Sequence, residues 1–208
     1  MGAKRKKSLR VEMKRILTHL DPRWIGPASN EISTRLLTLI EQLPIEVEHV
    51  LTWASFFQGE VELSRFIEQS LARYKVYLPR VLDDASMTFV SVGQNWYEQI
   101  SPGPSGVKEP NENGGELYRT EWARNTVVIV PGLAFSERGD RLGRGKGCYD
   151  RFFARPGMSD AVKIGACFSI QLTDDIPIES FDALMDWICT EEGFLQTVTK
   201  DDLMSLHE

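Results

Sequence analysis

Leu9, Met13, Ile16, Leu17 and Leu20 recur at intervals of three and four, which predicts an amphipathic helix with Ser8 as N-cap and Pro22 as stop. Its opposite face carries Arg10, Lys14 and Arg15. Ile32, Leu36, Leu37, Leu39, Ile40 and Leu43 predict a second helix that starts at Ser29 or Asn30 and ends before Pro44. The period then changes. Residues 49–55 read as a short buried strand, 61–74 as a helix through Leu63, Phe66, Ile67 and Leu71, and 75–78 as another strand. A strand, a helix and a strand in that order imply parallel pairing with a crossover between them.

Residues 87–92 are a further strand candidate, and 101–116, crowded with Pro, Gly, Asn and Glu, read as an excursion loop. The clearest strand is 126–130, which is almost all β-branched and suited to burial on both faces. It runs directly into Pro131-Gly132 and a long glycine-rich turn. A short helix over 148–153, strands over 162–168 and 182–188, and a ragged segment after Gly193 complete the pattern. Strands alternating with helices predict a single α/β domain with a mainly parallel sheet, taken as residues 1–195 with 196–208 as a tail.

Composition narrows the classes of function. With 208 residues, 42% of them apolar, the chain can bury a sizeable core. A net charge of -6 argues against a surface that tracks nucleic acid, although a local basic patch remains compatible with it. Cys148, Cys167 and Cys189 have no C-x-x-C spacing, so neither a disulfide framework nor a cysteine-rich zinc site is expected, and a reducing cytosol fits best. Apolar runs such as 127–130 fall far short of the roughly 20 residues that a membrane-spanning helix needs. Lys4 to Lys7 are followed by a charged amphipathic pattern, so no secretory signal is expected.

The chemistry is concentrated in Ser136 to Phe153, SERGDRLGRGKGCYDRFF. Gly139, Gly143, Gly145 and Gly147 let the main chain turn sharply and approach a ligand, successive N–H groups form an anion-binding concavity, and a helix begins near Gly147. Arg138, Arg141, Arg144 and Lys146 between them would neutralise a polyanion, with a triphosphate as the obvious candidate. Ligands of open α/β sheets sit beyond the carboxyl ends of the strands, where this segment begins. The same composition also suits a basic surface turn. It is neither a Walker loop, since Gly147 and not Ser or Thr follows Lys146, nor a G-x-G-x-x-G fingerprint.

Residues 131–152, PGLAFSERGDRLGRGKGCYDRF, closely resemble the signature of the 5-formyltetrahydrofolate cyclo-ligase family. The likeness extends in order to KKSLR at Lys6 to Arg10, QGEVEL at Gln58 to Leu63, LPR at Leu78 to Arg80 and IESFDALMD at Ile178 to Asp186, and is weak between Asp83 and Arg124. The resemblance implies a three-layer α/β fold similar to the sugar-phosphate isomerase and CoA-transferase group. It also implies conversion of 5-formyltetrahydrofolate to 5,10-methenyltetrahydrofolate with ATP and Mg²⁺.

Position by position, the family pattern implies nucleotide contacts from Lys6 and Arg10 and a phosphate-binding loop of Arg141, Leu142, Gly143, Arg144, Gly145, Lys146, Gly147, Cys148 and Tyr149. It implies folate contacts from Ser55, Glu60, Arg144 and Tyr149, magnesium carboxylates at Asp150 and Asp182, and electrostatic catalysis by Lys146, Arg144 and Arg141. Arg80 and the Glu109-Pro110 corner are fainter matches. Cys148 departs from the pattern, which usually has an aromatic there, and Phe56, Phe57 and Gly59 also stand where many members differ.

Without the resemblance, Lys6 and Arg10 read as a solvated helix face, Glu60 as an acid in a first helical turn, Asp182 as a turn cap, and Asp150 as a partner of Arg151 or Arg155. The expectation carried forward is a cytoplasmic, monomeric enzyme acting on a reduced folate and ATP, with no nucleic-acid or membrane partner. A diverged relative acting on another small substrate and a polyanion-binding module are the competing readings.

Overall fold

A computed structural model describes residues 2–82, 86–103, 106–111, 114–174 and 176–197. In chain order the elements begin with helices α1 (Gly2–Thr18) and α2 (Pro22–Gln42), strand β1 (His49–Leu51), helix α3 (Ser64–Ser70) and strands β2 (Lys75–Val81) and β3 (Met87–Val92). Strands β4 (Ile100–Pro102), β5 (Lys108–Pro110), β6 (Thr126–Val130), β7 (Ala134–Phe135) and β8 (Arg141–Leu142) follow. Helix α4 (Cys148–Phe153) and strands β9 (Val162–Ala166), β10 (Trp187–Cys189) and β11 (Phe194–Gln196) complete the order.

The β-branched run of β6 is buried at every position, in the middle of a seven-stranded sheet ordered β11-β10-β9-β6-β1-β2-β3. Strands β10, β9, β6, β1 and β2 run parallel, and antiparallel β11 and β3 form the edges. Alternation along β6 divides the core. Val127 and Ile129 pack with Val50, Ile164 and the apolar stripe of α1 and α2, including Met13, Leu17, Ile32, Leu36 and Ile40. Val128 and Val130 pack on the other face with Leu51, Phe89, Phe135, Phe152 and Met158. The result is the expected three-layer α/β arrangement, in which a parallel strand covered on both sides has no use for a polar face.

Several boundaries differ from the pattern-based expectation. Helix α1 starts at Gly2 and not near Ser8, whose hydroxyl donates back to the Lys4 carbonyl at 3.3 Å. Helix α2 starts seven or eight residues earlier than Ser29 or Asn30, because Pro22, read as a stop, occupies the first helical turn while the Asp21 carboxylate accepts from Arg23 N–H at 2.9 Å. Proline suits that turn because its missing N–H would have no helical partner. Helix α3 is shorter than 61–74, and the Glu62 carboxylate receives the N–H and hydroxyl of Ser64 at its start.

Strand β2 runs on to Val81, through Pro79. Its pairing to β1 ends at Tyr77, so Pro79 removes no N–H that β1 needs. The expected excursion loop contains the β4–β5 hairpin. The strand expected over 182–188 is confined to Trp187–Cys189, and the ragged segment after Gly193 holds an edge strand, β11, paired with β10. The rest of the expected tail, 198–208, lies outside the described residues. No helix among the described residues is long and apolar enough to cross a membrane.

Candidate functional site

The glycine-rich segment leaves β6 and folds back on itself. Leu133 N–H bonds to the Leu142 carbonyl at 2.7 Å, joining the β7–β8 ribbon, and at its turn Ser136 and Asp140 bond through side chain and main chain at 2.7 to 3.1 Å. Arg141 is 8% exposed. The first half of the segment is therefore an anchored ribbon, not a loose surface turn. Its second half opens: Gly145 and Gly147 take φ of 104° and 64°, a region that favours glycine, and Gly147 leads into α4.

Helix α1 lies alongside this loop. Arg10 Nε donates to the Gly143 carbonyl at 2.9 Å. Lys6, one turn earlier and 6% exposed, bonds Asp182 at 2.6 Å and Glu179 at 2.7 Å. Burial alone would lower the Lys6 pKa, but the bonds and charges of those two carboxylates outweigh it and hold the ammonium above its ordinary value. The solvated-face reading of Lys6 is thereby set aside, since a buried lysine requires such partners.

Asp150 pairs with Arg141 at 2.9 Å, not with Arg151 or Arg155. Its Oδ1 also accepts the Ala183 N–H at 3.4 Å, which brings the neighbourhood of Asp182 next to Asp150. Asp182 does cap a turn, accepting Glu179 N–H at 2.8 Å, while it also holds Lys6. Asp150 and Asp182 each face a cation, and Mg²⁺ is a cation that takes one or two carboxylates and completes its shell with phosphate and water. No group of three or more His, Cys, Asp or Glu side chains able to hold a metal occurs among the described residues.

On the other side of the loop, Arg144 donates to Glu60 Oε1 at 3.0 Å and lies over the Phe57 ring at 3.6 Å from its centroid. Glu60 Oε2 accepts the N–H groups of Phe56 and Phe57, both at 3.1 Å. The Ser55 hydroxyl donates to the Val61 carbonyl and accepts Leu63 N–H, so it braces the turn that presents Glu60. Tyr149 turns inward: its ring lies 5.4 Å from the Arg141 guanidinium, and burial pushes its phenol up. Tyr149 Oη and Arg141 Nε are buried without a hydrogen-bond partner among the described residues. Such orphaned groups suit a site that a polar ligand completes.

Lys146 is exposed at the rim, and its carbonyl accepts from Arg151 at 2.8 Å. Cys148 starts α4, half-buried against the cluster around Phe152, while Cys167 and Cys189 are core residues as expected. Sequence reasoning missed two participants. Glu179 lies within the IESFDALMD match but showed no chemical signal there, and Phe57 was marked only as a departure from the family pattern, with nothing local to reveal that it carries Arg144.

The described fold has solved relatives. The chain superposes on the 5,10-methenyltetrahydrofolate synthetase of Aquifex aeolicus with a TM-score of 0.71, 25% identity and coverage of 92% of each chain. The Mycoplasma pneumoniae synthetase superposes with a TM-score of 0.69 at 19% identity, covering 89% of this chain and 98% of that one. These relatives carry the α/β assignment, but not the expected likeness to sugar-phosphate isomerases and CoA-transferases. In sequence, the chain is 28% identical to the 5-formyltetrahydrofolate cyclo-ligase of Saccharomyces cerevisiae over 90% of this chain and 96% of that protein. It is 32% identical to the Mus musculus cyclo-ligase over 65% and 70% respectively. The model of the 5-formyltetrahydrofolate cyclo-ligase family matches residues 3–191, and with that match this chain belongs to that family of enzymes.

Proposed function

We propose that this enzyme converts 5-formyltetrahydrofolate to 5,10-methenyltetrahydrofolate, using ATP and Mg²⁺ and releasing ADP and phosphate. The observation that carries the reading is the Arg144–Glu60 contact, which joins the anion loop to a carboxylate suited to a pterin edge. A pterin presents paired N–H donors, and a carboxylate accepts both with charge-assisted bonds. Phe56 and Phe57 flank that carboxylate with exposed aromatic surface.

In this reading the formyl oxygen attacks the γ-phosphorus and ADP leaves with the electrons of the broken P–O bond. N10 then adds to the activated carbon, gives up its proton and expels phosphate, which leaves the N5–CH=N10 cation. No side-chain nucleophile is required. The protein's task is to hold two substrates in line and to neutralise charge on the transferring group.

Lys6 and Arg10 on α1 flank the nucleotide, and main-chain N–H groups of 141–149 cradle its phosphates. Arg141, Arg144 and Lys146 supply the positive charge, and Arg141 Nε and Tyr149 Oη are donors awaiting an oxygen. Glu60 orients the folate. Asp150 and Asp182 would hold Mg²⁺, which when bound neutralises triphosphate charge. Since Asp182 holds Lys6 and Glu60 holds Arg144, cations and carboxylates pair with one another before ligands divide them. The test is growth of the methenyl product's absorbance on mixing the protein with 5-formyltetrahydrofolate and Mg-ATP. Turnover that requires all three supports the reading, and no turnover overturns it.

A further inference from the structure

Arg144 belongs to the glycine-rich loop, yet its guanidinium is engaged on the far side of the site. It lies 3.6 Å from the centroid of the Phe57 ring and donates to Glu60 Oε1 at 3.0 Å. A guanidinium is one planar carbon bonded to three nitrogens, with N–H donors along its edge and a face that packs on aromatic rings. A pterin has the same make-up at C2, where the ring N3–H and the amino group donate side by side. Arg144 thus uses the carboxylate and the ring face as a pterin edge would.

Ring and carboxylate are fixed to each other. Phe57 N–H donates to Glu60 Oε2 at 3.1 Å and Glu60 N–H to the Phe57 carbonyl at 3.2 Å, so one tight turn carries both groups. The turn is seated on the end of α1. Gln58 Nε2 donates to the Thr18 carbonyl at 3.0 Å, and at Gly59, with φ of 78°, a methyl group would collide with the Leu17 carbonyl. Phe56 meets the Phe57 ring edge-on, with centroids 5.1 Å apart. Phe57 is nonetheless 39% exposed and within reach of a ligand. Arg144, a long side chain between Gly143 and Gly145, is the part able to leave.

We propose that the Phe57 face and Glu60 Oε1 form the pterin subsite, with Phe57 as its stacking residue, and that Arg144 fills this subsite as an internal stand-in until the pterin displaces it. This rests on the reading of the chain as a folate enzyme. Only molecules in which Arg144 has moved aside bind the ring, so apparent affinity falls by the fraction that is open. The exchange also selects the ligand. A ring with the amino-pyrimidinone edge replaces the contacts it breaks, whereas one without that edge leaves Glu60 Oε1 short of a donor on a side chain only 14% exposed.

The experiment uses 2-amino-4-oxopteridine, which has neither formyl group nor glutamate, so contacts elsewhere on folate play no part. Ligand-observed saturation-transfer NMR follows its binding without nucleotide to wild type, Arg144→Ala, and Arg144→Ala combined with Phe57→Leu or Phe57→Tyr. Arg144→Ala should bind the ring about fivefold or more tightly than wild type, because the competing guanidinium is gone. In that background Phe57→Leu should weaken binding about tenfold, the scale of one lost stacking contact, and Phe57→Tyr should stay within about twofold. The 2,4-dioxo ring, with oxygen in place of the amino group, should bind Arg144→Ala about tenfold more weakly than the 2-amino ring, which carries the test if Phe57→Leu does not fold. Arg144→Ala binding the ring no better than wild type, Phe57→Leu without effect, or no saturation transfer in any variant overturns the proposal and leaves the Arg144–Glu60 pair as a brace of the loop. Turnover of 5-formyltetrahydrofolate beside such a result keeps the cyclo-ligase reading and removes only this one. The expected ring binding in a chain without turnover removes the cyclo-ligase reading and leaves the subsite standing.

Discussion

Arg144 and Glu60, 84 residues apart in the chain, meet at 3.0 Å with the Arg144 guanidinium over the Phe57 ring. Glu60 is expected to hold the folate and Arg144 to reach both the phosphates and the folate, so in the proposed reading the contact would tie the two binding events together. In that reading, folate that takes over Glu60 would release Arg144 toward the phosphates. Linkage requires the effect to be reciprocal. The folate substrate should therefore tighten binding of the imido ATP analogue by about fivefold or more, and the analogue should tighten folate binding by the same factor. Calorimetry in both orders checks this, and independent affinities would refute it. Glu60→Gln should abolish the coupling and raise the folate KM by about tenfold or more.

Lys146 is exposed at the rim of the loop, so Lys146→Ala should leave the melting temperature nearly unchanged. Turnover at saturating ATP should fall by about a hundredfold or more, the scale for loss of one preorganised transition-state donor. A variant that keeps the wild-type kcat would show that another cation carries this role.

The Lys6 pair bears on both stability and metal use. Asp182→Asn leaves a buried ammonium with Glu179 alone and is expected to cost about 1–3 kcal/mol of stability, measured by urea unfolding. Because the folded-state pKa of Lys6 lies above its ordinary 10.5, the pair's contribution is complete below that value and fades as pH rises through the higher one. Lys6→Met should remove that alkaline loss. Mg-ATP, offering both Lys6 and Asp182 new partners, should raise the melting temperature of wild type more than ATP with EDTA does.

His49 provides a pH signature away from the site. It is 8% exposed, stacked on Trp122 at 4.8 Å, and burial above all lowers its pKa from 6.5, aided by Lys75 and opposed by Glu48 and Glu116. The unfolded chain therefore takes up this proton first as pH falls. Stability should decline from about pH 6.5 downward through the lower folded-state value. His49→Phe, which can keep the ring stack, should show a smaller loss of melting temperature between pH 7 and pH 5. An equal loss would assign the acid sensitivity elsewhere.

Much of the scaffold was legible along the chain. Thr126–Val130, Met87–Val92 and Cys148–Phe153 have the limits expected from the sequence because each is filled by residues suited to its burial and has a turn former close behind it, Pro131, Gly93 and Pro156. Helix α1 does end before Pro22, but the second role of Pro22 as the start of α2 is not legible, because a proline can both follow one helix and open the next, and the choice rests on the Asp21 carboxylate capping the Arg23 N–H. The short β4–β5 and β10–β11 pairings were missed because three-residue strands take their stability from neighbours and not from their own alternation.

The chemical inventory of the site, its glycines, arginines, lysines and acids, is local and survives in any reading of residues 136–153. Which acid faces which cation is not local. Lys6 with Asp182, Arg141 with Asp150 and Arg144 with Glu60 follow from where the parallel strands end and how α1 lies beside the loop. Charge acts through space, and only folding brings positions 176 residues apart to 2.6 Å.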